Sequence, residues 1–445
     1  MEEKLTFKQL FLLSSLIFGM MFGAGNLIFP VQLGQLAGGN WLPATLGFLV
    51  TGTLLPFLAM LAVSVTRSQS VYDVAKPVAP WFGTAFLVAI HLTIGPLFGT
   101  PRTAATAFSM GISPFVPTKY QWLAMLIFSA IFFATAYVLA IKESGLMKWV
   151  GKYLNPILMS LLVIVLVLAF ILPMGGVDQT VSKAYQVNAG LTGILDGYNT
   201  MDGVALLALS VSVVYAIKGF GFHDNQVSKV MAKSGLLAVV AEAVIYAALV
   251  LLGVSSLGTF KAAANGGDAF ASIIGHYTGN LGTLTTGIIV TLAVFTTAMG
   301  LFVSFAQDLH RAFPKVSYNS WLKVIAVGSF ITANAGLTKI IAWSIPVLML
   351  LYPFAMVLIL LSLFNKLFNR NTLVYQFTVA FVTLPAFIDA LASSPLATNK
   401  LVKNIIDVYH QLVPFSLEGF GWLIPALIGA VLGLVVYFFT QKIQN

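Results

Sequence analysis

No cysteine occurs anywhere in the 445 residues. That excludes disulfides, thiolate metal sites and cysteine nucleophiles. Charge is almost as scarce. Asp, Glu, Lys and Arg together make up 8% of the chain, against about 25% in an ordinary soluble domain. Among 14 acidic residues and 5 histidines there is no His/Asp/Glu cluster, Gly-x-Ser-x-Gly elbow or phosphate loop, so no enzyme is read here. A cleavable signal peptide is also missing. Met1 to Lys8 is charged, but the apolar run behind it is too long and lacks a small-residue cleavage site.

What the chain has is apolar length. It is 59% hydrophobic, with a mean hydropathy of +0.94. Apolar runs near 20 residues recur throughout, which predicts an all-α integral membrane protein inserted in a lipid bilayer. Twelve transmembrane helices are expected, at about 9–36, 41–65, 82–110, 120–140, 149–172, 202–222, 233–256, 280–307, 319–337, 339–363, 373–392 and 419–440. Trp41, Trp149 and Tyr153 fit interfacial belts. With the N-terminus inside, sixteen Lys and Arg fall on inner segments and six on outer ones, while Arg102 lies within a span. The bias places both termini in the cytoplasm. The net charge of +9 is therefore read as topology, and no nucleic-acid partner is implied. Nor is an obligate protein partner evident.

The helices group as 5+5. Residues 1–172 (helices 1–5) and 202–363 (helices 6–10) would have opposite orientation, the arithmetic of an inverted repeat. Residues 173–201 read as an extracellular loop long enough for its own short helix, and 364–445 add helices 11 and 12.

Span 1 contains the most unusual stretch, Phe18-Gly19-Met20-Met21-Phe22-Gly23-Ala24-Gly25-Asn26-Leu27-Ile28-Phe29-Pro30. Glycine costs about 1 kcal/mol and proline about 3 kcal/mol inside a helix. A break at 23–26 would free the carbonyls of Gly19 to Phe22 and the amides of Gly25 to Leu27. Carbonyls suit a hard cation, and amides at a half-helix N-terminus suit an anion. Such backbone survives at membrane depth only if protein or a wet cavity satisfies it.

Span 3 carries His91 and Arg102, eleven residues apart and so expected on nearly one helical face. Arg102 either lines a cavity or caps carbonyls freed by Pro96 and Pro101. His91 is read as a hydrogen-bonded buried side chain, with a proton relay as the rival. Span 6 opens at Asp202 and contains Ser210 and Ser212; without a proline it is expected to be unbroken. Glu242, near the cytoplasmic end of span 7, is read as snorkelling or hydrogen-bonded. On span 8, Ala293, Thr296 and Thr297 stand at i, i+3 and i+4 and share a face. Two hydroxyls and a carbonyl make half a shell for a hard cation, although such threonines often bond their own backbone. Spans 9 and 10, joined by Ala335 to Thr338, form a tight hairpin; Pro346 and Pro353 are expected to kink span 10.

The run Gly23-Ala24-Gly25-Asn26-Leu27-Ile28-Phe29-Pro30, then Leu33-Gly34 and Ala37-Gly38, resembles the opening signature of the bacterial branched-chain amino acid:cation symporters. Ile94-Gly95-Pro96-Leu97-Phe98 with Pro101-Arg102-Thr103, Gly197 to Asp202, and Phe295-Thr296-Thr297-Ala298 with Gly300-Leu301 extend the resemblance along the chain. A departure is Val31-Gln32, where many members carry a second proline. The resemblance implies sodium-driven import of leucine, isoleucine and valine across the bacterial cytoplasmic membrane. It implies the leucine-transporter-like fold of the amino acid-polyamine-organocation superfamily, and no organic cofactor. A proton-coupled amino acid or nucleobase permease of the same fold is the alternative, with His91 or Asp202 as the proton carrier.

Span 1 is also similar to the corresponding helix of the bacterial leucine transporter, which implies site residues. Gly19, Phe22 and Ala293 carbonyls with Thr296 and Thr297 hydroxyls would bind one sodium ion. Met21 and Asn26 match a second. The amides of Ala24 and Gly25 would hold the substrate carboxylate, with Asn26, Ser210 and Ser212 as further substrate contacts. An apolar pocket between spans 1, 3, 6 and 8 would take the side chain.

Overall fold

The computed structural model describes residues 5–141, 159, 160 and 162–444; Trp149 and Tyr153 lie outside them. The first helix, α1 (Phe7–Met21), starts at a capping box in which the Gln9 amide donates to Thr6 Oγ1 and the Thr6 amide to Gln9 Oε1. Its buried face is Leu13, Ile17 and Met21, one turn apart, while Phe7, Phe11 and Leu16 point outward.

The chain breaks at Phe22–Gly23 and resumes as α2 (Ala24–Ala37). This is shorter than the expected 23–26 gap, because the Asn26 side chain caps the new helix and lets it start at once. Pro30 lies within α2 and does not end it. Nearly every α2 side chain is buried, so this half-helix runs through the middle of the bundle.

Spans 2 and 3 each contain a π turn that periodicity did not indicate. Val50–Leu54 joins α3 (Trp41–Leu49) to α4 (Leu55–Val65). After the short α5 (Val71–Ala75), Thr93–Leu97 joins α6 (Pro80–Leu92) to α7 (Gly99–Gly111), with Gly95 non-helical. Then follow α8 (Gln121–Ile141), α9 (Leu162–Ile171), α10 (Ala189–Gly197), α11 (Asp202–Gly219) and α12 (Asp224–Ser256). Helix α13 (Gly266–Ala312) is interrupted at Gly279, whose φ is 63°, so its membrane part begins where span 8 was expected. Helices α14 (Tyr318–Ala333) and α15 (Leu337–Leu363) form the expected hairpin through Gly336 at φ 87°. Helices α16 (Thr372–Ala392), α17 (Lys400–Leu412) and α18 (Leu423–Gln444) close the chain. The segment between the expected spans 11 and 12 thus carries α17, tied down where Tyr409 Oη donates to the buried Asp389 at 2.9 Å.

Among the described residues, nine helical stretches are long and apolar enough to cross a membrane. Leu384, Phe387, Leu427 and Phe170 are turned outward, as a lipid-facing surface requires. Small residues let the inner helices touch. A Cβ on Gly34 would lie 2.1 Å from the Val250 carbonyl oxygen, and one on Gly253 would lie 2.2 Å from that of Val31. Helices α2 and α12 therefore cross with backbones in contact.

Candidate functional site

At the first break, the Gly23 amide is the natural donor to the Gly19 carbonyl, one helical turn earlier. It instead donates to Asn26 Oδ1 at 2.9 Å. The Gly19 carbonyl loses its helical partner, and the last carbonyls of α1 and the first amides of α2 fall at one junction. Ala24, Gly25 and Asn26, the expected substrate contacts, are all buried at this junction.

A second break faces the first. Helix α10 ends in a 3-10 turn at Tyr198–Thr200, and Met201 adopts a left-handed conformation (φ 64°) before α11 begins at Asp202. Residues 202–219 are continuous, as propensity suggests, so the interruption lies just ahead of the helix expected to be unbroken. The two breaks touch: a Cβ on Gly25 would stand 3.4 Å from the Thr200 carbonyl oxygen.

Arg102 joins them. It is 3% exposed, its Nη1 donates to the Asn199 carbonyl at 2.6 Å, and its guanidinium lies 4.9 Å from the centre of the Phe29 ring on α2. The carbonyl it caps belongs to the second break and not to the Pro96 and Pro101 turns. Ile94 O, in that turn, is met by Thr100 Oγ1 at 3.2 Å. His91 does not share its face. The π turn and Gly95 change the helical phase, and His91 Nε2 instead meets Asp308 Oδ2 on α13 at 2.9 Å. His91 is fully buried and hydrogen-bonded, the first of its two readings.

Between the breaks lies a cavity of about 50 Å³, space for a few waters at about 10–15 Å³ each. Met20 and Met21 come from span 1, Ile94 and Arg102 from span 3, Ala205 and Leu209 from span 6, and Thr297 and Leu301 from span 8. These are the four spans expected to form the pocket. The serines are not in its wall. Ser210 is buried and its hydroxyl donates to the Leu206 carbonyl of its own helix; Ser212 is exposed. Ala205 and Leu209 stand three and seven residues from Asp202 and follow its face, whereas Ser210, eight away, is turned about 80° off it.

Asn26 is committed to a buried polar knot. Its Nδ2 faces Asp202 Oδ2 at 2.6 Å, Glu242 Oε1 at 3.1 Å and the Tyr246 hydroxyl. Tyr246 Oη in turn donates to Glu242 Oε1 at 3.1 Å. Glu242 is fully buried and hydrogen-bonded and does not snorkel: span 7 belongs to the 33-residue α12, and Glu242, its nineteenth residue, falls deep in the bundle. Tyr246 escaped notice in the sequence, although it stands at i+4 from Glu242 and therefore on the same face.

On span 8, Thr296 Oγ1 donates to the Ala293 carbonyl at 2.6 Å. That is the backbone bond common in membrane helices, and it leaves the oxygen's lone pairs free to accept. Thr297 reaches the break itself: a Cβ on Gly23 would lie 3.2 Å from its Cγ2 and 3.4 Å from its Oγ1. Gly19 and Phe22 lie outside the cavity wall, Met21 within it. Among the described residues no three His, Asp or Glu side chains converge, so an ion here would be held by carbonyls and hydroxyls.

The chain matches a family described as branched-chain amino acid transport protein over residues 6–440. It is 37% identical over 432 residues to the branched-chain amino acid permease BrnQ of Lactobacillus delbrueckii subsp. lactis, covering 96% of each chain. It is 35% identical to the BrnQ permease of Bacillus subtilis, covering 99% of this chain and 100% of that one. Among solved structures, it resembles Mhp1, a nucleobase-cation-symport-1 family transporter in a closed conformation with bromovinylhydantoin bound. The TM-score is 0.57 at 14% identity, over 97% of this chain and 93% of that one. The inward-facing form of Mhp1 matches with a TM-score of 0.52. At that identity the likeness is one of fold. The family match and these relatives show that this chain belongs to the branched-chain amino acid transport protein family, a family of membrane transporters and not of enzymes.

Proposed function

We propose that this protein is a sodium-coupled symporter importing leucine, isoleucine and valine across the bacterial cytoplasmic membrane by alternating access. It would have twelve spans in a 5+5 inverted repeat, with both termini cytoplasmic. One observation carries the reading: two helix interruptions adjoin at one cavity, the first bringing the start of α2 and the second the Thr200 carbonyl. That pairing suits a zwitterion. The substrate carboxylate would sit on the Ala24 and Gly25 amides at the positive end of α2. Its side chain would pack against Met20, Ile94, Leu209 and Leu301.

Sodium would sit at the first break, where Thr297 packs against Gly23, with the α1 carbonyls and the Thr296 hydroxyl as its further ligands. An ion there would tie the first half of span 1 to span 8, and that is how its gradient would be coupled to substrate occupancy. The cavity of about 50 Å³ is smaller than a leucine needs, so closure and opening of the half-helices must accompany binding.

The test is uptake of labelled leucine into proteoliposomes with an inward sodium gradient, an inward proton gradient, or neither. Uptake should follow sodium and be competed by isoleucine and valine but not by lysine or uracil. Uptake indifferent to sodium and driven by protons would overturn the coupling. Competition by uracil would favour a nucleobase permease.

A further inference from the structure

An arginine and an aspartate line the central cavity without an ion pair between them. Arg102 is 3% exposed and Asp202 6% exposed, and both contribute to its wall. The ion pairs among the described residues are Lys76–Asp73, His91–Asp308, Lys218–Asp224 and Arg311–Asp308; Arg102 and Asp202 are not among them. Each is instead fixed from behind. One guanidinium nitrogen of Arg102 holds the Asn199 carbonyl while the plane rests against Phe29. Asp202 is held through Oδ2 by Asn26, and Tyr246 Oη lies 3.4 Å from the same oxygen.

Two buried side chains of opposite sign on one cavity wall, with no bond between them, leave room for a ligand that bonds to both. A guanidinium has five donors in a planar fork, and the Asn199 bond uses only one. The fork matches a carboxylate, and a carboxylate matches an ammonium.

We propose that Arg102 and Asp202 are specificity-determining residues that read the two ends of an α-amino acid. Arg102 shares the substrate carboxylate with the α2 amides. Asp202, beside the Thr200 carbonyl, takes the ammonium. The pair discriminates against ligands lacking either end, because each such ligand forgoes one of the two contacts. This rests on the transport reading above, yet it fails separately from it.

The experiment measures binding of labelled leucine to the purified full-length protein, in competition with two half-ligands. These are 3-methylbutylamine, which is leucine without its carboxylate, and 4-methylpentanoate, which is leucine without its ammonium. Arg102→Gln should weaken leucine about 10- to 100-fold and leave 3-methylbutylamine competition unchanged. Asp202→Asn should weaken leucine and the amine together and spare 4-methylpentanoate. Arg102→Lys, which keeps the charge but not the fork, should fall between wild type and Arg102→Gln for leucine alone. A merely structural role would weaken all three ligands in parallel, and that result overturns the proposal. If Arg102→Gln does not fold, Arg102→Lys decides by the same pattern. Wild-type protein that binds no branched-chain amino acid would overturn the transport reading itself.

Discussion

The contact between α2 and α12 leaves no space for even one methyl group, and Gly34→Ala tests whether that closeness supports the site. The new Cβ would lie 2.1 Å from the Val250 carbonyl oxygen, with Val254 N at 2.9 Å. A carbon and a carbonyl oxygen settle at about 3.3 Å or more. The helices must therefore separate by about 1.2 Å locally. Helix α2 is also closely approached at Gly266, where a Cβ would lie 2.0 Å from the Ile28 carbonyl oxygen. Asn26 and Glu242 lie on these same two helices, joined at 3.1 Å. If half the displacement reaches them, the bond stretches to about 3.7 Å, where it ceases to be one.

Overpacking should cost about 1–3 kcal/mol, against a helix-propensity gain of up to about 1 kcal/mol. Breaking the buried knot adds a loss worth about 10- to 100-fold in leucine affinity. Thermal melting in detergent and equilibrium leucine binding read the two effects. Gly300→Ala is the control, because a Cβ there meets nothing within 4 Å inside the long α13. It should melt at or above wild type and bind normally. Gly34→Ala that binds leucine like wild type and melts no lower than the control would refute the argument.

Other perturbations address single links. Thr297→Ala removes the hydroxyl at the first break and should raise the sodium concentration for half-maximal uptake about 10-fold or more; an unchanged sodium dependence would remove Thr297 from the ion site. Asn26→Ala strands the Gly23 amide in the core, at about 1–3 kcal/mol for the group left unsatisfied, and takes one donor from each of Asp202 and Glu242. Lowered melting and lost leucine binding should follow together, and binding that survives would show the knot to be dispensable. On the cytoplasmic side of the proposed topology, the hydrogen bond and then the charge of Lys218 hold the exposed Asp224 carboxyl below its ordinary value. Its folded value lies below the unfolded one, so the stabilisation is present above about pH 4 and fades as pH falls further. Lys218→Ala should melt slightly below wild type at pH 7 and low salt, and the two should converge in acid or high salt; a gap that persists in acid would be inconsistent with this pairing.

The helical membrane class, the break in span 1 and the common face of Ala293, Thr296 and Thr297 were legible in the sequence. Each follows from local chemistry: apolar run length, the helix cost of Gly23 and Gly25, and a 3.6-residue period. The expectation that His91 and Arg102 share a face assumed a uniform helix, and the π turn at Thr93–Leu97 removed that assumption. Glu242 was placed by its distance along the chain, which says nothing about how far span 7 extends beyond the bundle. The second break hid in Gly197 to Asp202 because a 3-10 turn and one left-handed Met need no proline or glycine at the hinge.

Gly23-Ala24-Gly25-Asn26 therefore stands as the part of the site that the sequence determined alone. An interrupted helix exposes amides and carbonyls whatever surrounds it. What the tertiary structure decided is which groups meet them. It set Thr200 against Gly25, Thr297 against Gly23, and Asp202, Glu242 and Tyr246 around Asn26, across separations of more than 170 residues. Such pairings depend on helix crossing points and depth, which are set by close packing at positions such as Gly34 and Gly253 and not by any local pattern.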